Sequence, residues 1–309
     1  MAVSNNDLRF IFKEVKGLIS ACIVTRNSSE SLRRYLTSLM SSVGNSSQVE
    51  IIVVDNESTD NTKDMLEEFF PQAQYIYCQP GIGFSKGINQ AVAVSRGEFI
   101  LIATPSTEIR GDAIPILLEY LKLYEDVGVV GPKIINPDGT TQHSSKKMPT
   151  PKVAVFHSLY LFGVIQPNKL LDEYFLYDYK SDEPVEVQSL TMSLLLIRRS
   201  VFESAGFLDE GLFVWASDVD WCYVVERSGW KQIFVPRAIA VHRRYSVSKK
   251  QPYSNLLHYH RDLNFFYKKH FSHKNGPITN FIWVAMLQVR FVLQIFRYLV
   301  RGGKDYSFY

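Results

Sequence analysis

The 309-residue chain has a mass of 35.5 kDa, with 46% hydrophobic and 21% charged residues. These are the proportions of a folded protein, which excludes global disorder, and the length suits one large α/β domain or a catalytic domain with an appendage. Lys and Arg number 34 against 31 Asp and Glu, a net charge of +3, too small a basic excess for a general nucleic-acid coat.

Met1 to Lys16 interleaves acids and Asn with a short apolar patch and lacks an h-region, so no signal peptide is expected. The three cysteines, Cys22, Cys78 and Cys222, have no CxxC spacing. They are expected to be reduced, buried thiols of a cytosolic compartment, and no zinc ligand set is visible. Leu18 to Val24 is an apolar, β-forming run that ends at Thr25-Arg26-Asn27. Ser28-Ser29-Glu30 offers a helix cap, and Leu32, Tyr35, Leu36 and Leu39 follow at helical spacing. Val49 to Val54 is a second strand ending at Asp55, followed by turn chemistry from Asn56 to Asp60 and a helix carrying Met65, Leu66 and Phe69. Tyr75 to Cys78 is a third strand, a Gly-rich turn leads into a helix through Ala91 to Val94, and Glu98 to Ala103 is a fourth strand.

Strand and helix thus alternate with short connections, which implies a mostly parallel, doubly wound sheet flanked by helices. Ligands in such sheets bind beyond the carboxyl ends of the strands, here Thr25-Arg26-Asn27, Asp55-Asn56, Gly81-Ile82-Gly83 and Thr104-Pro105-Ser106. From Gly131 the pattern changes. Asn136-Pro137-Asp138-Gly139 is a strong turn, and the polar, basic stretch from Thr141 to Pro151 is a long loop of the kind that carries function. Leu194 to Ile197 is a further strand, Asp218 to Glu226 a helix, and Gln232 to Val235 and Ala238 to Val241 two short strands.

Phe281 to Val300 runs for about 30 Å as a helix with few polar breaks. Arg290 and Arg297 oppose a membrane span, at roughly 2.5–3.5 kcal/mol each near the centre of an inserting helix. Arg290, Gln294, Arg297 and Arg301 fall on one helical stripe with the remaining circumference apolar. The pattern reads as an in-plane interfacial helix with its arginines on anionic headgroups, or as a helix docked on the catalytic domain.

Several clusters carry chemistry. Asp55-Asn56-x-Ser58-x-Asp60 can accept hydrogen bonds from a ribose or a base, or can simply form an Asx turn and cap the next helix. Gly81-x-Gly83-Phe84-x-x-Gly87-x-Asn89 lets backbone approach a ligand. Its resemblance to a dinucleotide fingerprint is weakened by the two strand–helix units that precede it. A Tyr245-x-x-x-Lys249 pair, suggestive of a dehydrogenase, lies too far along the chain for that fold. Asp218-Val219-Asp220-Trp221 opens a helix after the aromatic loop Phe213-Val214-Trp215. A helix dipole stabilises such carboxylates, and Asp218 beside an aromatic platform would also make a general base for a sugar.

Together these segments resemble glycosyltransferase family 2, the inverting enzymes of GT-A fold, and within it rhamnosyltransferase-like proteins of bacterial surface-polysaccharide assembly. The resemblance spans Leu18 to Ser248 and rests on the order of Val-Thr-Arg-Asn (24–27), Val-Val-Asp-Asn-Glu-Ser-Thr-Asp (53–60), Gly-Phe-Ser-Lys-Gly-Ile-Asn (83–89), Val-Gly-Pro-Lys (130–133), Leu-Ile-Arg-Arg (196–199) and Ser-Asp-Val-Asp-Trp (217–221) through His242. It implies a GT-A catalytic domain over 1–248 with a Rossmann-like sheet, and the helical pattern beyond it makes 249–309 a C-terminal amphipathic helical extension. Thr25, Arg26, Asn27, Asp55, Asn56, Ser58, Gly83, Phe84, Lys86, Gly87, Asn89 and Ser106 would hold the nucleotide of an activated sugar. Asp218 would be the catalytic base, and Asp209, Trp215 and His143, within a loop reaching Lys147, would shape the acceptor site.

Two positions depart from the family pattern. Thr104-Pro105-Ser106 stands where the family shows Asn-Pro-Asp, whose Asp helps hold a divalent ion, and Ser217 stands where a Glu precedes the catalytic Asp. A hydroxyl is a poor ligand for a hard cation. Glu108 or His242 would then complete a Mg²⁺ or Mn²⁺ site, or Lys86 or Arg243 would neutralise the diphosphate without metal. The expected partners are a nucleotide-sugar, with dTDP-rhamnose favoured, a lipid-linked or polysaccharide acceptor, and the inner face of the cytoplasmic membrane; no nucleic acid is expected. The alternative is a catalytically impaired homologue that scaffolds a glycan assembly complex. A nucleotide-dependent oxidoreductase rests on the glycine turn and the Tyr–Lys pair alone.

Overall fold

The computed structural model describes residues 9–44, 47–148, 153, 169, 174, 181–212, 216–243 and 252–300. The chain divides into two compact units. The first comprises Met1–Lys146, Tyr179–Glu210 and Asp218–Arg244; the second comprises Lys147–Asp178, Gly211–Ser217 and Tyr245–Tyr309.

The first unit is built on strands β1 (Val15–Thr25), β2 (Gln48–Asn56), β3 (Gln74–Cys78), β4 (Gly97–Ala103), β5 (Thr107–Arg110), β6 (Val127–Ile135), β7 (Ser145–Lys146), β8 (Val185–Glu186), β9 (Ser189–Leu190), β10 (Leu194–Arg198) and β11 (Lys231–His242). Nine of them form one sheet in the order β3-β2-β1-β4-β10-β6-β11-β5, with β8 paired to β11. The sheet is mostly parallel: β3, β2, β1, β4, β6 and β11 share one direction. β10 runs antiparallel between β4 and β6. A central strand is covered on both faces, which is why Leu194 to Ile197 is apolar without alternation and fully buried.

Helices cover both faces. Ile19, Ala21 and Ile23 of β1 point into a core shared with α1 (Ser29–Val43), α2 (Thr62–Phe69) and α4 (Ala113–Leu123). Val24 points the other way, onto α3 (Gly83–Ala93), where Gly87 lets the helix approach: a Cβ there would lie 2.7 Å from Val24 Cγ2. Leu32, Tyr35, Leu36 and Leu39 of α1 are all fully buried, as their spacing requires. The cap of α1 comes from elsewhere than its own Ser28. The Ser29 N–H donates to Asp60 Oδ2 at 3.1 Å, while Ser28 Oγ donates to Arg26 O at 2.8 Å.

The two short strands expected over 232–241 are one strand, β11, with a register shift between Val235 and Ile239. Pro236 has no N–H for the ladder, so the strand bulges and resumes. The turn at 136–139 closes with Gly139 at φ 87° and its N–H on Asn136 O at 2.9 Å. The loop after it is tied down where β7 pairs with β9. The Arg198-Arg199 pair is structural. Arg198 donates to the carbonyls of Leu121 and Tyr124 at the end of α4 and of Val127 at the start of β6, and Arg199 holds Ser95 O and Phe12 O. Two further helices, α5 (Arg199–Ala205) and α6 (Ser217–Arg227), follow β10. All three cysteines are buried free thiols, and burial raises the pKa of each.

In the second unit, α7 (Pro252–His270) and α8 (Pro277–Val300) pack on one another. Trp283 stacks on Tyr267 at 4.3 Å between centroids, and the Tyr267 hydroxyl donates to Asn280 Oδ1 at 2.8 Å. The orientation of α8 corrects the interfacial reading of its polar stripe. Arg290 is 3% exposed and Gln294 6%, and both share the inward face with Trp283 and Leu287. Arg290 donates to Tyr259 Oη at 3.1 Å and lies over the Tyr259 ring. A guanidinium is accommodated there by an aromatic face and a hydroxyl. Many of the other apolar residues face outward, with Phe281 at 73% and Phe296 at 62% exposure. The Arg301 position lies outside the described residues.

Candidate active site

The parallel register Thr25↔Asp55 brings the carboxyl ends of β1 and β2 side by side. Asp55 is buried, and both its oxygens have partners: Oδ1 accepts the Ser58 N–H at 2.8 Å and Oδ2 accepts the Tyr75 hydroxyl at 2.7 Å. Burial, reinforced by that hydrogen bond to the carboxylate, pushes the Tyr75 phenol up from its ordinary pKa. The loops after the two strands are stitched together. Asn27 Oδ1 accepts the N–H groups of Thr59 and Asp60 at 2.7 and 3.3 Å, and the Asn27 N–H donates to Ser58 Oγ at 2.8 Å. Asn27 and Glu57 hold left-handed backbone at φ 48° and 64°, strain of the kind that packed functional loops retain. Arg26 extends into solvent and meets Glu57 at 3.5 Å. Asn27 and Ser58, expected on the nucleotide, here join the two loops to each other.

Two polar atoms at these strand ends, Thr25 Oγ1 and Asn56 Oδ1, are buried without a hydrogen-bond partner. Groups of this kind normally find partners. Lys86 is exposed and Phe84 half-buried on the first turn of α3, behind Gly81 and Gly83 at φ 79° and 74°. Gly87 serves helix–strand packing, as described. Asn89 also departs from expectation. It is fully buried, donates to Leu208 O at 2.9 Å and Glu210 Oε1 at 3.1 Å, and accepts the Leu208 N–H at 3.0 Å. Its amide clamps α3 to the 208–210 segment.

At the end of β4, Ser106 Oγ lies 3.0 Å from His242 Nε2 at the end of β11. The His242 Nδ1 lies 3.1 Å from Gln142 Oε1. The strand pairing His242↔Thr107 produces this meeting. Glu108 faces Arg110 at 3.1 Å and Arg243 at 3.4 Å, so its carboxylate is already neutralised. Among the described residues no group of three His, Cys, Asp or Glu side chains is placed to hold a metal ion. The protein's own donors for an ion at this end are one imidazole nitrogen and one hydroxyl. They fit a divalent cation only where phosphate oxygens and water complete its shell, as Mg²⁺ commonly requires.

Asp218 sits half-buried in the first turn of α6, its Oδ1 accepting the Val219 N–H at 2.9 Å. The helix is locked by its inner face. Trp221 is buried, lies tilted against Phe202 at 4.9 Å between ring centroids and donates from its indole to Gly206 O at 3.0 Å, while Cys222 packs on Leu190. Asp220, two residues on, turns inward and is buried, leaving Asp218 as the accessible carboxylate of the pair. Ala216, just before the helix, holds a left-handed φ of 61°. His143 is exposed on the loop beside buried Gln142, and Asp209 is half-buried next to Glu210. Phe213, Val214, Trp215, Tyr245 and Lys249 lie outside the described residues. The sequence reading missed Tyr75, behind Asp55, and Gln142, behind His242. Both sit in segments whose local pattern marks only a strand and a polar loop.

Residues 20–204 match the family model for glycosyl transferase family 2. The chain is 27% identical over 256 residues, 79% of its length and 81% of the other, to N-acetylglucosaminyl-diphospho-decaprenol L-rhamnosyltransferase of Mycobacterium tuberculosis (strain H37Rv). It is 28% identical over 213 residues, 68% of its length and 62% of the other, to the low-salt glycan biosynthesis hexosyltransferase Agl10 of Haloferax volcanii. Among solved structures, GalNAc-T7 with UDP, GalNAc and Mn²⁺ superposes with a TM-score of 0.59 at 17% identity, covering 85% of this chain and 51% of that one. The mannosyltransferase PcManGT of Pyrobaculum calidifontis, in complex with GDP-Man and Mn²⁺, superposes with a TM-score of 0.53 at 14% identity, covering 92% and 71%. At such identities the structural likeness shows the GT-A fold.

Proposed function

The chain belongs to glycosyl transferase family 2 and is a glycosyltransferase, and we propose that it transfers a sugar, with inversion, from a nucleoside diphosphate donor to a hydroxyl of a lipid-linked or polysaccharide acceptor in bacterial surface-glycan synthesis. The observation that carries this reading is the pair of strand ends where Asp55 is held by Tyr75 while Thr25 Oγ1 and Asn56 Oδ1 are left buried and unpartnered. Nucleotide binding beyond those ends answers them. Arg26, Phe84 and Lys86 flank the same edge. The sugar would then face the first turn of α6. Asp218 takes the proton of the acceptor hydroxyl, whose oxygen attacks the anomeric carbon. The bond to the diphosphate breaks with its electron pair leaving on the phosphate oxygen, so one inversion results. Asp209, His143 and Trp215 are the acceptor-side candidates. Rhamnose is the favoured sugar because the mycobacterial relative is named a rhamnosyltransferase.

The part over 1–248 is the catalytic domain in this reading, and 249–309 holds it against the inner membrane face. The apolar outer face of α8 supports the second statement. So does charge: from Leu263 to Val300 there is no acidic residue, while Lys268, Lys269 and Lys274 cluster about the α7–α8 turn. An anionic bilayer surface complements both features. Flotation with phosphatidylglycerol vesicles tests it. Wild type is expected to co-float and Phe281→Asp/Phe296→Asp to stay behind; equal recovery of the two would remove the membrane role.

The transfer reading is tested by incubating the protein with dTDP-rhamnose and a set of UDP- and GDP-sugars, with a lipid-linked acceptor extract, in Mn²⁺, Mg²⁺ or EDTA. Asp218→Asn is expected to lower product formation at least about 100-fold, the lower end of the range for losing a general base. Turnover that survives EDTA supports transfer without metal. Ser106 in place of a carboxylate favours the second reading, a donor-binding scaffold. It gains ground if one nucleotide-sugar binds and no acceptor fraction receives sugar.

A further inference from the structure

The side chains behind Ser106 form a hydrogen-bond chain with a fixed direction. It starts at Asp138, whose Oδ1 accepts the Thr140 hydroxyl at 2.6 Å and the Thr140 N–H at 2.9 Å. Those bonds hold the Asp138 carboxyl below its ordinary pKa, so the group is an acceptor only. The Thr140 hydrogen is thereby committed, and Thr140 Oγ1 accepts from Asn136 Nδ2 at 2.8 Å. Asn136 Oδ1 in turn accepts from Gln142 Nε2 at 2.7 Å. The second Gln142 hydrogen goes to the backbone carbonyl of His242, also at 2.7 Å. A carbonyl cannot donate, so this last bond locks the amide orientation independently of the links before it. Gln142 Oε1 therefore faces the imidazole as an acceptor, and the Nδ1 that lies 3.1 Å away must carry the hydrogen. In the neutral ring, Nε2 is then a lone pair directed at Ser106 Oγ, whose hydroxyl donates to it at 3.0 Å.

We infer that Gln142 is a positioning residue which holds His242 in the Nδ1–H tautomer, so that Nε2 keeps a lone pair, taken here by the Ser106 hydroxyl, for the diphosphate end of the donor. This rests on the transferase reading for the identity of the ligand, and on the chain itself for the tautomer. The Ser106 hydroxyl can turn and donate to a phosphate oxygen, whereas Nε2 carries no hydrogen and would reach the diphosphate through a cation. An imidazole that donates its far N–H to a fixed carbonyl oxygen is the usual arrangement behind a metal-bound histidine. With one imidazole and one hydroxyl as protein donors, such an ion is held jointly with the diphosphate, and poorly by the protein alone.

Nitrogen-15 NMR of the histidine side chains in the full-length protein tests the tautomer directly. His242 is expected to show a protonated Nδ1 and an unprotonated Nε2, unchanged in Ser106→Ala and shifted to the Nε2–H form or a mixture in Gln142→Leu. An Nε2–H ring in the wild type, or a tautomer indifferent to Gln142, overturns the inference. So does a Ser106→Ala spectrum that switches tautomer. Mn²⁺ with inorganic pyrophosphate is then expected to broaden the His242 signals of the wild type and leave those of Gln142→Leu sharp, with Mn²⁺ alone much weaker in both. Equal broadening in the two proteins, or full broadening by Mn²⁺ alone, counts against it. Because the tautomer is read without turnover, failure to transfer any sugar would sink the functional reading and leave this one standing.

Discussion

Replacing Asn89 with Ala separates its structural role from the ligand-binding role its motif suggests. The side chain is fully buried, and its amide serves both backbone groups of Leu208 and the carboxylate of Glu210. Ala leaves the Leu208 N–H and C=O buried without partners. At roughly 1–3 kcal/mol for each of the two unsatisfied groups, the loss is about 2–6 kcal/mol. With an m-value of about 3 kcal/mol per molar urea, the unfolding midpoint falls by roughly 1 M. Asn89→Asp keeps the acceptor for the Leu208 N–H but sets a second carboxylate where an N–H met Glu210 Oε1 at 3.1 Å. It is expected to be at least as destabilising. Urea titrations followed by circular dichroism measure both shifts, and initial rates at varied nucleotide-sugar measure the donor KM, which is expected to stay within about two-fold, a ceiling of roughly 0.4 kcal/mol. An unchanged midpoint combined with a ten-fold rise in donor KM (about 1.4 kcal/mol) would refute the clamp and return Asn89 to the donor site.

Three other outcomes are expected. Gly97→Ala should lower stability by about 3 kcal/mol and Gly87→Ala by only about 1–2, because the new Cβ at 97 meets backbone, Ser20 N at 2.7 Å and Leu18 O at 2.8 Å, whereas at 87 it meets the Val24 side chain; thermal melts that reverse the order contradict this packing. His260 is buried, and desolvation, aided by the charge of Arg290, pushes its pKa from 6.5 down to about 4. The unfolded chain therefore takes up a proton between these values that the folded chain refuses, and stability present above pH 6.5 declines by about 3 kcal/mol as pH falls toward 4; melts from pH 7.5 to 4.5 should show the decline, and His260→Gln should flatten it. Tyr75→Phe removes the hydroxyl bonded to Asp55 and should raise the donor KM about five-fold, the equivalent of one hydrogen bond near 1 kcal/mol, with kcat little changed; an altered kcat at constant KM would assign Tyr75 a different role.

The helices α1, α2, α3, α6 and α8 and the first four strands were legible in the sequence because burial leaves a periodic trace, whereas α4, α5 and α7 were not marked. Leu32, Tyr35, Leu36 and Leu39 must share a face, and a run such as Glu-Phe-Ile-Leu-Ile-Ala must lie between two covered surfaces. The strand-end loops were legible as well, since alternation of strand and helix implies a parallel sheet and parallel strands end on one edge. The extent of β11 was not: Pro236 reads locally as a break, and only the neighbouring β6 shows that the strand resumes.

Periodicity also says which residues share a face without saying what the face meets. The stripe of Arg290 and Gln294 was plain in the sequence, but its direction was settled by Tyr259, on a separate helix, which offers the guanidinium a ring and a hydroxyl. Asn89 stands in a motif that points to a ligand, yet its amide was claimed by Leu208 and Glu210, 119 and 121 positions away. Gln142 carried no local signal, and its role exists only because β11 brings His242 back to it across 100 positions. Local order and chemistry type thus follow from the sequence, since short-range spacing and side-chain chemistry suffice for them. Which polar group satisfies which was decided by the tertiary structure, because a buried hydrogen bond is made by whatever the fold brings within about 3 Å.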